Sequence, residues 1–154
     1  MPRTDLQQIF LESVGEVLET MFFTGVVEED SNEESDSLVS AELTFHGNRS
    51  GRFGVRVPHT TGRQITSSFL GLEEDELSEE QIGEVVCELT NMICGSVLSR
   101  VETGARFELM HPEVDPRNGD WRKYKDATGS TFGLEEGTIT VWMTLEENRP
   151  ALVA

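Results

Sequence analysis

The residues of this chain best suited to chemistry lie on one face of one segment. Glu84, Glu88, Asn91 and Gly95 follow one another at steps of four, three and four, the spacing that lines side chains up along a helix. On a wheel of about 100° per residue, Ile82, Val85, Val86, Leu89 and Ile93 fall on the opposite side, and Cys87, Cys94 and Leu98 border the polar stripe. A charged stripe of this kind is usually a solvated helix face and nothing more. Two residues speak against that here. Asn is a poor mid-helix residue because its short amide competes with the backbone. Gly95 costs about 1 kcal/mol against Ala and leaves a notch. A helix packed rigidly below and notched above can admit another protein's surface closely. From the residues alone, the solvated face and the docking face both stand.

Other chemistries have less to build on. His46, His59 and His111 are scattered over a hairpin turn, a strand end and a loop, and no Ser/Cys–His–Asp order stands out. Cys87 and Cys94 are seven residues apart on the same segment. On a helix that is about 10 Å, too far for a disulfide. With no histidine at ligand spacing nearby, they read as small apolar residues, and no metal is expected. Trp121-Arg122-Lys123-Tyr124-Lys125 is the one basic–aromatic cluster. The chain carries 29 Asp+Glu against 12 Lys+Arg, a formal charge of −17. That excludes nucleic acid and anionic membrane as primary partners, since both demand a positive surface. The cluster is therefore expected to be a loop that packs Trp121 on the body and leaves its charges in water.

These residues must be positioned by a chain of 154 residues, which predicts one domain over 1–154 with a core that needs no staples. No apolar run approaches the length of about 18 residues that spans a bilayer. Asp5 and Glu12 interrupt any signal-peptide core, so a cytoplasmic location is expected. Apolar residues at three- and four-residue steps predict a helix over Leu6–Phe23, with Thr4 as N-cap and Gly25 as stop. An acidic connector over 28–36 follows, expected to be a mobile loop. The period then becomes two: Val39, Ala41, Leu43 and Phe45, a turn over Gly47–Gly51, then Phe53, Val55 and Val57 predict a hairpin ended by Pro58. A short helix over Gly62–Leu70 and a second acidic connector within 73–80 lead to the long helix. Ser78, with Glu80 and Gln81 nearby, opens it, and it runs to about Val101. A strand over Ala105–Leu109, a loop over Pro112–Gly129, and a hairpin of Thr131–Leu134 and Thr138–Leu145 complete the order, with a frayed tail over 147–154. Helices in runs and strands in antiparallel pairs make this an α+β fold.

Two helices share a pattern: Val14-Gly15-Glu16-Val17-Leu18 matches Ile82-Gly83-Glu84-Val85-Val86. Each precedes antiparallel strands, which suggests two copies of a helix-plus-strands unit about a pseudo-two-fold axis; chance likeness of amphipathic helices is the alternative. Glu88-Leu89-Thr90-Asn91 resembles the Glu-x-x-Asn signature of the CheC/CheX/FliY phosphatases of bacterial chemotaxis. The setting resembles that family too, with the signature on a long helix after an acidic linker. The flanks are looser. The family begins its longer signature with Asp or Ser where this chain has Glu84, and Pro112 follows Asn91 at 21 residues rather than about two dozen. Aligned through the shared Gly-Glu pair, Glu88 and Asn91 correspond to Thr20 and Phe23, so the first helix lacks the signature. One site, on the second helix, resembles the CheX arrangement.

The resemblance implies a CheC-like fold with long helices on a sheet, a homodimer, and removal of phosphate from the aspartyl-phosphate of a CheY-like response regulator. It assigns Asn91 to orient the attacking water, since an amide can accept from water and stays neutral beside an anionic phosphoryl group. It places Glu88 with Asn91 in the catalytic site, where Glu88 pairs with the regulator's Lys; Glu84, on the same face, and the notch at Gly95 are expected to meet the partner. The regulator is expected to bring Mg²⁺, and the chain to need no cofactor or metal of its own. The alternative is a CheX-like module that binds a regulator, or acts as an adaptor, without catalysis.

Overall fold

The computed structural model describes residues 3–32, 37–115 and 120–147. Helix α1 (Arg3–Met21) is followed by the short strand β1 (Val26–Glu28), the hairpin β2 (Leu38–Gly47) and β3 (Arg49–Pro58), and helix α2 (His59–Leu70). Helix α3 (Glu79–Val101) opens the second half. The short strands β4 (Phe107–Leu109) and β5 (Glu113–Val114) come next, then the hairpin β6 (Thr128–Leu134) and β7 (Thr138–Glu147). Among the described residues the strands form one antiparallel sheet of seven in the order β1-β6-β7-β3-β2-β4, with β5 also on β2.

That order carries the duplication read from the two helices. Each half supplies a helix, a short strand and a hairpin. The hairpins meet at the centre through β3 and β7, and each short strand adds to the other half's hairpin: β1 on β6, β4 on β2. Neither half can complete its sheet alone, so the fold is α+β with interleaved copies.

The alternation in the hairpins directs Leu43, Phe45, Phe53, Val55, Val57, Ile139, Val141 and Met143 into one core with Phe10, Val14 and Leu18 of α1 and the apolar side of α3. Phe10 meets Phe53 edge-to-face at 6.4 Å between centroids. The other face of the sheet carries Ser40, Arg56, Thr140 and Trp142, all buried too. Part of its cover is the Trp121–Tyr124 segment. Tyr124 stacks on Trp142 at 5.3 Å, and Trp121 lies so close over Gly129 that a Cβ there would stand 2.6 Å from the indole. Arg122, Lys123 and Lys125 stay exposed, so the basic–aromatic cluster packs and solvates as its composition predicts.

Several boundaries differ from the sequence reading. α1 already includes Arg3 and Thr4, so Thr4 is not its cap, and its end is set by Phe23 at φ 57° rather than by Gly25. Thr24 N–H donates to Leu18 O across that turn, which favours the left-handed residue despite its side chain. β1 begins before the connector, and residues 33–36 of the connector lie outside the described residues. β2 and β3 pair up to Phe45 and Gly51 and continue to Gly47 and Arg49, so the turn is far tighter than Gly47–Gly51. α2 starts three residues early, straight after Pro58, whose fixed φ suits a helix entrance. The second connector contains a 3-10 turn, Glu74–Glu76. The 105–109 strand shortens to β4, while the 112–129 loop yields β5 and the start of β6. Strands of two and three residues are too short to show a period; only their partners create them. β7 runs to Glu147, and the rest of the tail lies outside the described residues. By length and mean hydropathy, 1.2 over 18 residues, α3 does qualify as long and apolar enough to cross a bilayer, which a search for uninterrupted apolar runs passes over. Here 56% of that window is buried, with its apolar side on the sheet.

Candidate functional site

α3 is built as a rigid platform. At its start Ser78 Oγ accepts from Gln81 N–H at 3.1 Å, and Gln81 Oε1 accepts from Ser78 N–H at 2.8 Å, a capping box in which Gln81 rather than Glu80 is the partner of Ser78. Ile82, Val85, Val86, Leu89 and Ile93 are all buried beneath. Thr90, inside the signature, is also buried and donates its hydroxyl to Val86 O at 2.7 Å.

On the opposite side Glu84, Glu88 and Gly95 are exposed and Asn91 is half-buried. Asn91 is thus less open than its place on the wheel suggests, and it lines a groove. Among the described residues none of the three polar side chains has a hydrogen bond or ion pair. A half-buried amide left free in this way is not there to satisfy the backbone. The first helix behaves otherwise. Glu16, the counterpart of Glu84, is paired with Arg100 of α3, and Phe23, the counterpart of Asn91, falls beyond the end of α1. The shorter helix cannot present the signature even in principle.

Glu84, Glu88 and Asn91 line an open groove of 1240 Å³, whose far wall is the segment from Leu109 to Asp115. Gly95 lies past its end, and a Cβ there would meet nothing within 4 Å. The sequence reading missed that wall, taking Leu109 for a strand end and the chain from Pro112 for plain loop; the signal was apolar Met110 and Val114 flanking Pro112. It also scattered the histidines, yet His59 and His111 both come to the groove. His59 Nε2 lies 2.9 and 2.8 Å from the two oxygens of Glu79 in the first turn of α3.

Cys87 lines the groove between the two glutamates. Burial, first, and the carboxylates of Glu113, Glu84 and Glu88 push its thiol up from the ordinary value. It stays protonated and is a poor nucleophile. Cys94 is fully buried and shifted the same way by burial, and both thiols are free. Among the described residues no group of three or more His, Cys, Asp or Glu is placed to hold a metal ion. What the site offers is therefore a free amide, two free carboxylates one turn apart, and an adjoining wall.

Comparison with solved structures gives the fold, and a family model gives the class. The chain shares its fold with the chemotaxis protein CheX of Vibrio vulnificus at TM-score 0.75 and 22% identity, over 95% of this chain and 99% of that one. A CheC-like superfamily protein of Shewanella sp. PV-4 aligns at TM-score 0.72 and 25% identity, over 95% and 99%. CheX of Borrelia burgdorferi, in a CheX–CheY–BeF3–Mg²⁺ complex, aligns at 0.70 and 21%, over 91% and 97%. No curated protein matches the chain. The family model described as chemotaxis phosphatase CheX matches residues 39–130, and the chain belongs to that family.

Proposed function

We propose that this protein hydrolyses the aspartyl-phosphate of a CheY-like response regulator, in chemotaxis or a related two-component pathway. The observation that carries the reading is the pair Glu88 and Asn91, one turn apart, free of partners and facing one groove. In the reaction a water oxygen bonds to phosphorus while the bond to the aspartyl oxygen breaks. Aspartate leaves as carboxylate, and the water proton passes to phosphate or solvent. Asn91 Oδ1 accepts a hydrogen bond from the water and holds it in line, and its neutrality spares the phosphoryl group a repulsive charge. Glu88 pairs with the regulator's Lys and fixes the docking register, with Glu84 one turn before it on the same face. Gly95 leaves clearance for the partner's surface. The regulator supplies Mg²⁺, which balances charge on the phosphoryl oxygens. The chain itself contributes position, not a nucleophile or cofactor.

The protein works in the cytoplasm on this reading, as a single domain and as a homodimer joined through a sheet edge; β1 and β4 end the strand order. The test is phosphate loss from a phosphorylated receiver domain with and without the protein. Acceleration by wild type, abolished in Asn91→Ala, supports it. If wild type binds the receiver without speeding phosphate loss, the chain is a binding module. If Asn91→Ala is as fast as wild type, the site is misassigned.

A further inference from the structure

The far wall of the groove is not explained by the row on α3. It runs along β2 from Leu109 to Asp115 and is tied at both ends: Met110 N–H donates to Thr44 O at 2.9 Å, and Asp115 N–H to Ser40 O at 2.8 Å. Between them β5 pairs with Ala41 and Glu42. This strap carries two large apolar side chains, Met110 and Val114, each 43% exposed. A lone exposed apolar residue needs no explanation. These two line the same groove as Glu84, Glu88 and Asn91, with Pro112 between them.

Val114 is seated on purpose-shaped ground. A Cβ on Gly83 would stand 3.1 Å from Val114 Cγ2, tighter than nearly all real contacts. At Gly15, the counterpart in α1, a Cβ would meet nothing within 4 Å. The glycine shared by the two helices therefore has a packing role only in the copy that bears the site.

We infer that Met110 and Val114, held by this strap and seated through Gly83, form an apolar docking wall for the same phosphorylated receiver that meets Glu88 and Asn91, and set how tightly it is held rather than how fast it is hydrolysed. The inference rests on the phosphatase reading above. Row and wall line one groove, so a receiver seated in it with its acyl phosphate at Asn91 faces Met110 and Val114 across the groove. The groove is open to solvent rather than enclosed, a form that a protein surface can enter. Exposed carboxylates supply register and encounter rate more than affinity; apolar burial at the centre of a contact supplies affinity.

The test uses the receiver domains encoded by the source genome, each loaded with Mg²⁺ and beryllofluoride, titrated against the full chain. The double variant Met110→Ser/Val114→Ser, altering exposed side chains, is expected to fold and to raise Kd about tenfold or more. KM for the phosphorylated receiver should rise in step, with kcat at saturation within about twofold. Gly83→Ala, which displaces Val114 while leaving its side chain intact, should weaken binding in the same direction. An unchanged Kd in the double variant, a fall in kcat alone, conversion of a wild-type dimer to monomer by the double variant (which would make the strap the joint between two copies at the β4 edge), or binding of wild type to none of the receivers overturns the inference. Wild type that binds a receiver yet leaves its phosphate loss unaccelerated sinks the phosphatase reading instead, and the wall is then judged on Kd.

Discussion

Asn91→Ala should separate function from stability by moving them in opposite directions. Asn91 is half-buried, in mid-helix, and makes no hydrogen bond to any described residue. Truncation therefore orphans no partner, and the ordinary penalty of a polar deletion does not arise. What remains is helix propensity, which favours Ala over Asn by up to about 0.7 kcal/mol. For a chain of this length about 1 kcal/mol moves Tm by roughly 2–4 °C, so the variant should melt about 1–3 °C higher than wild type. Catalysis should fall. Losing control of an attacking water that must lie in line typically costs about a hundredfold, or about 2.7 kcal/mol of barrier. The assay pairs a thermal melt with single-turnover phosphate loss from a labelled receiver. A Tm lowered by several degrees would show that Asn91 holds α3 together, and an unaltered hydrolysis rate would remove it from the mechanism; either refutes the reasoning.

Three further outcomes are expected. Gly95→Ala fills space that is empty in the isolated protein, so it should raise stability by about 1 kcal/mol through helix propensity while weakening receiver binding. Urea midpoints and a receiver titration check the two halves, and tighter binding would dismiss the proposed clearance. Glu88→Gln should raise KM for the phosphorylated receiver about two- to fivefold, with the wild-type dependence of KM on salt reduced; a salt dependence equal to that of wild type would show that Glu88 meets no cation. The third concerns Glu42, whose carboxyl is held above the ordinary 4.5 chiefly by burial. Arg52 and Lys123 pull it down, while Asp115 and Glu113 push it up. Glu113 sits directly across the ladder from it. The folded protein thus holds a proton that the unfolded chain has released, and stability falls as pH rises from 4.5 through the raised folded value. Glu42→Gln should gain on wild type across that window and keep the gain above it, with none below; urea midpoints over a pH series that differ by a constant amount would contradict this.

The apolar period of α3, its opening at Ser78 and the Glu88–Asn91 spacing were all legible in the chain, because each is written in residues three or four apart and a helix converts that separation into a fixed geometry. The two main hairpins were legible for the parallel reason that a strand converts a period of two into two faces. The degenerate first copy was also readable, as Thr20 and Phe23 stand where the signature would be.

What only the tertiary structure decided depends on partners far away in sequence. β1 and β5 exist because β6 and β2 offer them open edges, and no local pattern records an edge. Glu16 and Glu84 occupy the same place in the repeated pattern, yet Arg100 neutralises one and leaves the other free. Above all, the sequence named one face of the site and the fold supplied the other. The strap that turns a polar helix stripe into a groove comes from a stretch whose own residues read as loop, and it becomes a wall only because backbone bonds to Ser40 and Thr44 lay it along β2 beside Gly83.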